Sequence, residues 1–184
     1  LEKNGIAVYE NDAVRLAKNG QPFWLAGLGD QLALFERRMR GNQEPAADRL
    51  KVPVAAGSGA TFTKASSASG KAGRRMLGVD DLPGTLARIT DDAPVILMAH
   101  EPDIFPRVPG RVSLTLSGHT HGGQVRLLGY SPIVPSRYGN RYAYGHIVET
   151  GRHLIVSGGL GCSILPVRFG MPPEIVLLQL GVAE

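Results

Sequence analysis

The sequence predicts an α/β fold, and three observations carry the prediction. Val95-Ile-Leu-Met-Ala99 is a continuous apolar run after Pro94, the pattern of a strand covered on both faces, as in a parallel sheet. Just before it, Asp80-Asp81-Leu82-Pro83 reads as the acidic first turn and early proline of a helix over Leu82 to Ile89. Near the start, Asn19-Gly20 separates Ala13 to Lys18 from Pro22 to Ala26, the strongest short-range signal for a two-residue β-hairpin.

The remaining elements follow in chain order. Gly5 to Tyr9 reads as a further strand and Leu32 to Arg40 as a short helix. From about Gly41 to Leu77 the periodic signals fade, and Ala55 to Gly73, AAGSGATFTKASSASGKAG, is small, polar and glycine-rich. Such a stretch buries too little apolar area to offset its ordering entropy, so 41–77 is expected to be a flexible insertion within one domain over 1–184. Beyond Val95 to Ala99, strands are expected at Val112 to Ser117, Val125 to Leu128, Tyr142 to Glu149, Leu154 to Ser157 and Ile175 to Leu180.

Composition narrows the class. With 43% hydrophobic and 20% charged residues in 184, the chain is globular rather than disordered. No apolar stretch reaches the roughly 18 residues of a spanning helix. The opening LEKNGIAVYE lacks the basic-then-apolar order of an export signal. Leu1 is not a natural initiator, so a preceding segment is expected, and localisation, cytoplasmic or at the membrane and cell envelope, rests with that segment. The single Cys162 excludes an internal disulfide and a thiolate metal cage. A net charge of +4 and a pI near 9.5 raise a nucleic-acid reading. The clusters Arg37-Arg38-Met39-Arg40 and Lys71 to Arg75 lack interleaved aromatics, and no specific nucleic-acid partner is expected.

Chemistry concentrates in three histidines. Val95 to Ala99 ends in His100-Glu101-Pro102-Asp103, and Val112 to Ser117 ends in Gly118-His119-Thr120-His121-Gly122-Gly123. If the two strands are neighbours, His100, His119 and His121 converge outside the strand ends, where α/β sheets build their sites. Imidazole is the commonest protein metal ligand, and Gly118, Gly122 and Gly123 read as permissive backbone positions around an ion. His146 and His153 lack such company and read as structural. Gln124 and Gly123 follow the metal loop; Arg168 reads as a local partner rather than a phosphate contact, and Cys162 as a small buried packing residue.

ILMAHEPDIF followed by VSLTLSGHTHGGQV, with the tail GRHLIVSGGLGCSILPVRFGMPPEIVLLQL, resembles the last metal-binding blocks of the calcineurin-like metallophosphoesterases, in their bacterial YkuE-like branch. The resemblance implies a four-layer α/β/β/α sandwich of which this chain is the C-terminal portion. It implies two divalent ions (Mn, Fe or Zn), His100 and His119 binding one and His121 the other. It further implies phosphate-ester hydrolysis by a hydroxide that the ion pair activates.

The same resemblance calls for earlier blocks. No Asp-x-His occurs in the sequence, and the Asn-His pair that would supply a catalytic acid is absent. Gly29-Asp30 and Gly41-Asn42-Gln43-Glu44 imitate two of the blocks, but they lie only 12 residues apart, too close for the intervening strand and helix. Three neutral imidazoles hold two dications poorly without carboxylates to offset ionic repulsion. The chain is therefore expected to need a missing N-terminal segment or a complementing chain, with a phosphate ester as substrate. The alternative is a catalytically inactive metal-binding or scaffold domain.

Overall fold

The computed structural model describes residues 1–32, 34–36, 75–164 and 166–181. Its strands are β1 (Asp12–Lys18), β2 (Gln21–Gly27), β3 (Leu34–Glu36), β4 (Arg75–Leu77), β5 (Val95–Met98), β6 (Leu114–Ser117), β7 (Gly145–Glu149) and β8 (Arg152–Val156), with α1 at Leu82–Leu86. A six-stranded sheet runs β1-β2-β5-β6-β8-β7, and β3 pairs with β4 in a separate ribbon. The four central strands are parallel, and the outermost strand at each side is antiparallel to its neighbour. The chain is thus of the α/β class, as the apolar runs predict.

The hairpin forms where Asn19-Gly20 places it. Both residues take positive φ, 51° and 75°, as a type I′ turn requires, and Asp12 to Lys18 pair in register with Gly27 to Gln21. Asp81 caps α1 by accepting from the Gly84 amide at 2.9 Å, with Pro83 in the first turn. The α-helix is shorter than predicted. Beyond Leu86 the amides of Arg88 and Ile89 bond three residues back, to Thr85 and Leu86, so the final turn tightens to 3₁₀ geometry.

Four expectations need correction. Gly5 to Tyr9 joins no ladder: it crosses the end of β2, where Gly27 lies so close to the Tyr9 carbonyl that a Cβ there would clash. Within the predicted helix Leu32 to Arg40, residues 34–36 are the strand β3, because pairing with Arg75–Leu77 outweighs local helix propensity. Val125 to Leu128 makes only single bridges, Val125 to Phe169 and Leu127 to Tyr130, since Leu128 and Gly129 turn the chain at φ 49° and 84°. Ile175 to Leu180 carries no ladder. Residues 37–40 of the predicted helix and 41–74 of the expected insertion lie outside the described residues, while the insertion's end, Arg75–Leu77, forms β4.

Register decides what each sheet face does. Ala26, Leu97, Thr115 and Leu154 lie on one face and are fully buried. They are covered by Ile104 and Phe105 of the 3₁₀ turn Pro102–Arg107, by Tyr142, and by Leu82 of α1. The opposite face carries Leu25, Ile96, Met98, Leu116 and Ile155, which are only half-buried, with Val148 at its edge 54% exposed.

Candidate metal centre

Because β5 and β6 are parallel neighbours, their C-terminal ends deliver residues to one edge. The ladder continues past the strands: the Ala99 amide donates to the Leu116 carbonyl and the Gly118 amide to the His100 carbonyl, each at 3.0 Å. His100 and His119 consequently face one another, ring centroids 5.1 Å apart and nearly perpendicular. Glu101 joins them. Its carboxylate, His100 and His119 each offer a ligand atom, all within 4.8 Å of one another.

Glu101 is the residue that sequence reasoning passed over, because an acid between a histidine and a proline carries no pattern of its own. It is only 3% exposed, with one oxygen 3.0 Å from the Gln31 amide and the other 3.9 Å from His119 Nδ1. Gln31 Nε2 in turn donates to the Glu101 carbonyl at 2.9 Å. Burial pushes the Glu101 pKa up, and the charge of Asp30 adds to the rise against the opposing Gln31 amide. Burial lowers the His119 pKa, and His100 pushes the same way, which favours the neutral, ligating imidazole. Asp30, three residues past the end of β2, thus acts electrostatically on this edge.

His121 is turned elsewhere. The loop after β6 reverses sharply: His119, His121 and Gln124 take φ of 65°, 52° and 54°, and Gly122 and Gly123 63° and 82°. A Cβ on Gly122 would meet Met171 Sδ at 2.6 Å, and one on Gly123 would meet Ser131 at 2.3 Å, so both glycines are required. Gly118 is not: a Cβ there meets nothing, and its permissive role is withdrawn. His121 Nδ1 lies 3.0 Å from the Gly161 carbonyl. A carbonyl only accepts, so this contact favours the tautomer with the proton on Nδ1 and the lone pair on Nε2.

Gln124 spans the loop, donating to the Val167 carbonyl at 3.2 Å and accepting from the Ser163 amide. Arg168 takes a local role, through backbone carbonyls rather than an acid. Cys162 is exposed, not buried, because its loop projects from the strand ends instead of packing beneath them. His146 and His153 stand on adjacent strands with ring nitrogens 3.0 Å apart, remote from the three-residue cluster.

The donor set at His100, His119 and Glu101, two imidazoles and a carboxylate, suits one divalent ion of the Mn, Fe or Zn kind. A cleft of about 370 Å³ opens beside it, lined by Tyr9, Leu28, Met98, His100, Leu116 and Ser117 among others. Among the described residues no second cluster of three such ligands forms around His121.

Comparison with known proteins gives a consistent answer. No family model matches the chain, and no solved structure does. The uncharacterized metallophosphoesterase YkuE of Bacillus subtilis is 44% identical over 106 residues, 57% of this chain and 37% of that protein. An uncharacterized metallophosphoesterase of Aquifex aeolicus is 35% identical over 86 residues, 47% of this chain and 32% of its own length. The phosphodiesterase YaeI of Escherichia coli is 35% identical over 91 residues, 47% and 32% respectively. The matches thus span about a third of each relative's length. Over the stretches it shares with them, the chain is similar to proteins named metallophosphoesterase or phosphodiesterase.

Proposed function

We propose that the protein is a metal-dependent phosphoesterase whose complete site holds two divalent ions. The observation that carries the reading is the convergence of His100, His119 and buried Glu101 at one strand edge, with His121 on the adjoining loop, its Nδ1 against the Gly161 carbonyl. His100 and His119 hold one ion, with Glu101 in reach, and His121 contributes to the other. When bound, the ions supply activated water at neutral pH and neutralise charge on the phosphoryl oxygens. The chain's own residues orient the ligands: Glu101 ties the 100–103 loop to Gln31, and Gly122 and Gly123 let the His121 loop reverse.

The remaining ligands come, in this reading, from a preceding segment or a complementing chain. Two observations support it. The half-buried sheet face of Leu25, Ile96, Met98, Leu116 and Ile155 is the face that a four-layer sandwich covers with its second sheet. Ile175 and Leu177, 85% and 94% exposed, lie in the strand-like tail that finds no ladder, and the same second sheet provides one.

The test is hydrolysis of p-nitrophenyl phosphate and bis-p-nitrophenyl phosphate with Mn²⁺, by the chain alone and by the chain extended with the upstream coding sequence. The extended protein turns over at least one ester, and His119→Ala or His121→Ala abolishes turnover. Turnover that survives both substitutions, or its absence from the extended protein, defeats the proposal.

A further inference from the structure

We infer that Arg168 is a positioning residue for His121, a guanidinium that fixes the carbonyl selecting which imidazole nitrogen faces an ion. The inference deepens the metal-dependent reading and rests on it for its purpose, though not for its geometry. His121 Nδ1 lies 3.0 Å from the Gly161 carbonyl and 3.5 Å from Arg168 Nη2; both Nη2 hydrogens go to the Gly158 and Gly161 carbonyls, so the carbonyl is the group left to pair with the ring nitrogen. Gly161 lies in an irregular loop after β8, and Gly159, two residues before it, has φ of 61°. A carbonyl there stays aimed at His121 only if something holds the loop.

Arg168 does so. Its Nε donates to the Gly161 carbonyl at 2.9 Å and its Nη2 donates to the same oxygen. Nη2 also donates to the Gly158 carbonyl at 2.7 Å, and Nη1 lies 3.5 Å from the Met171 carbonyl. The planar fork therefore spans both ends of the loop, which a single ammonium on a flexible stem cannot do. The loop is gripped from the opposite polarity as well: the Glu174 carboxylate accepts from the Gly158 amide at 2.8 Å and from Tyr144 Oη at 2.6 Å, and the Glu174 amide donates to the Gly159 carbonyl at 3.0 Å.

The consequence is tautomer selection. Gly161 accepts the Nδ1 proton, so Nε2 alone is free to ligate, and Arg168 keeps that acceptor in register. A hydrogen bond of this kind behind a metal-binding histidine is commonly worth 10–100-fold in metal affinity. No acid pairs with Arg168 among the ion pairs of the described residues, which accords with a guanidinium committed to carbonyls.

The test is made first on the metal-free protein. Two-bond ¹H–¹⁵N correlation spectra report which nitrogen of each histidine is protonated; His121 is expected as the pure Nδ1–H form in the parent and as a mixture in Arg168→Ala. The signals of His146 and His153, on the far sheet edge, report whether the fold is intact. If they are lost in Arg168→Ala, Arg168→Lys replaces it, keeping the charge and losing the fork, with the same mixture expected. Mn²⁺ titration of the extended protein then shows the His121-dependent site weakened about 10–100-fold, with the His100–His119 site little changed. An Nε2–H His121 in the parent, or an unchanged tautomer in the folded variant, overturns the inference. Failure of the parent to bind Mn²⁺ counts against the proposed function instead, and leaves the tautomer result standing.

Discussion

His100 and His119 meet edge to face at 5.1 Å while His121, two residues on, points its Nδ1 at Gly161. Neighbours in sequence therefore serve different places. Calorimetric Mn²⁺ titration of the extended protein should show His100→Ala and His119→Ala to be strongly non-additive, the double variant no worse than either single one. His119→Ala with His121→Ala should remove a further binding event, because contacting residues couple and separate ones add. Full additivity of the first pair would refute a shared ion.

Glu101 separates hydrogen bonding from charge. Glu101→Ala leaves the Gln31 amide without its acceptor and should destabilise the metal-free fold by about 1–3 kcal/mol in urea unfolding. Glu101→Gln keeps an acceptor. Because burial raises the folded carboxyl pKa above 4.5, the ionised form weighs against folding as pH rises through that raised value. Glu101→Gln should thus be more stable than the parent at neutral pH, and the gain should vanish below pH 4.5.

Gly123 tests the loop. A methyl there meets Ser131 at 2.3 Å, at a φ of 82°, and Ser131 Oγ holds the Gly122 carbonyl at 3.0 Å. Gly123→Ala should lower stability by about 1–3 kcal/mol from backbone strain alone and reduce Mn²⁺ affinity, whereas Gly118→Ala should leave stability within about 0.5 kcal/mol. Thermal melts and metal titration distinguish them.

Asp91 clamps the entry to the sheet. Its carboxylate accepts from Trp24 Nε1 and Arg15 Nε, each at 2.7 Å, and the indole bond, then the Ala93 amide, lowers its pKa below 3.8. A depressed carboxyl contributes stability above its unfolded pKa and loses it as pH falls through the folded value. Asp91→Asn should therefore melt lower than the parent at pH 7, the difference shrinking below pH 3.8. Trp24 is the sole tryptophan, so its fluorescence follows the same titration; a constant difference down to acid unfolding would contradict this.

Local chemistry was legible wherever it was self-sufficient. Asn19-Gly20 and Asp81-Leu82-Pro83 impose turn and cap through their own backbone preferences. The run Val95 to Met98 fixed a central strand, and with it the placement of His100 beside His119. What stayed hidden depends on partners distant in sequence. β3 exists through Arg75–Leu77, Glu101 acquires its role through Gln31, seventy positions earlier, and Arg168 acquires its own through the carbonyls of Gly158 and Gly161. Ile175 to Leu180 has the composition of a strand, but a strand is a relation between two segments, and composition specifies one.

The left-handed backbone at His119 and His121 has an evolutionary consequence. A non-glycine residue held there costs on the order of 1–3 kcal/mol, so glycine at either position relaxes the loop and stabilises the chain. Unselected drift at these two sites runs toward sturdier proteins with fewer ligands. Two histidines kept at φ of 65° and 52° mark a place where folding stability is surrendered and an imidazole retained.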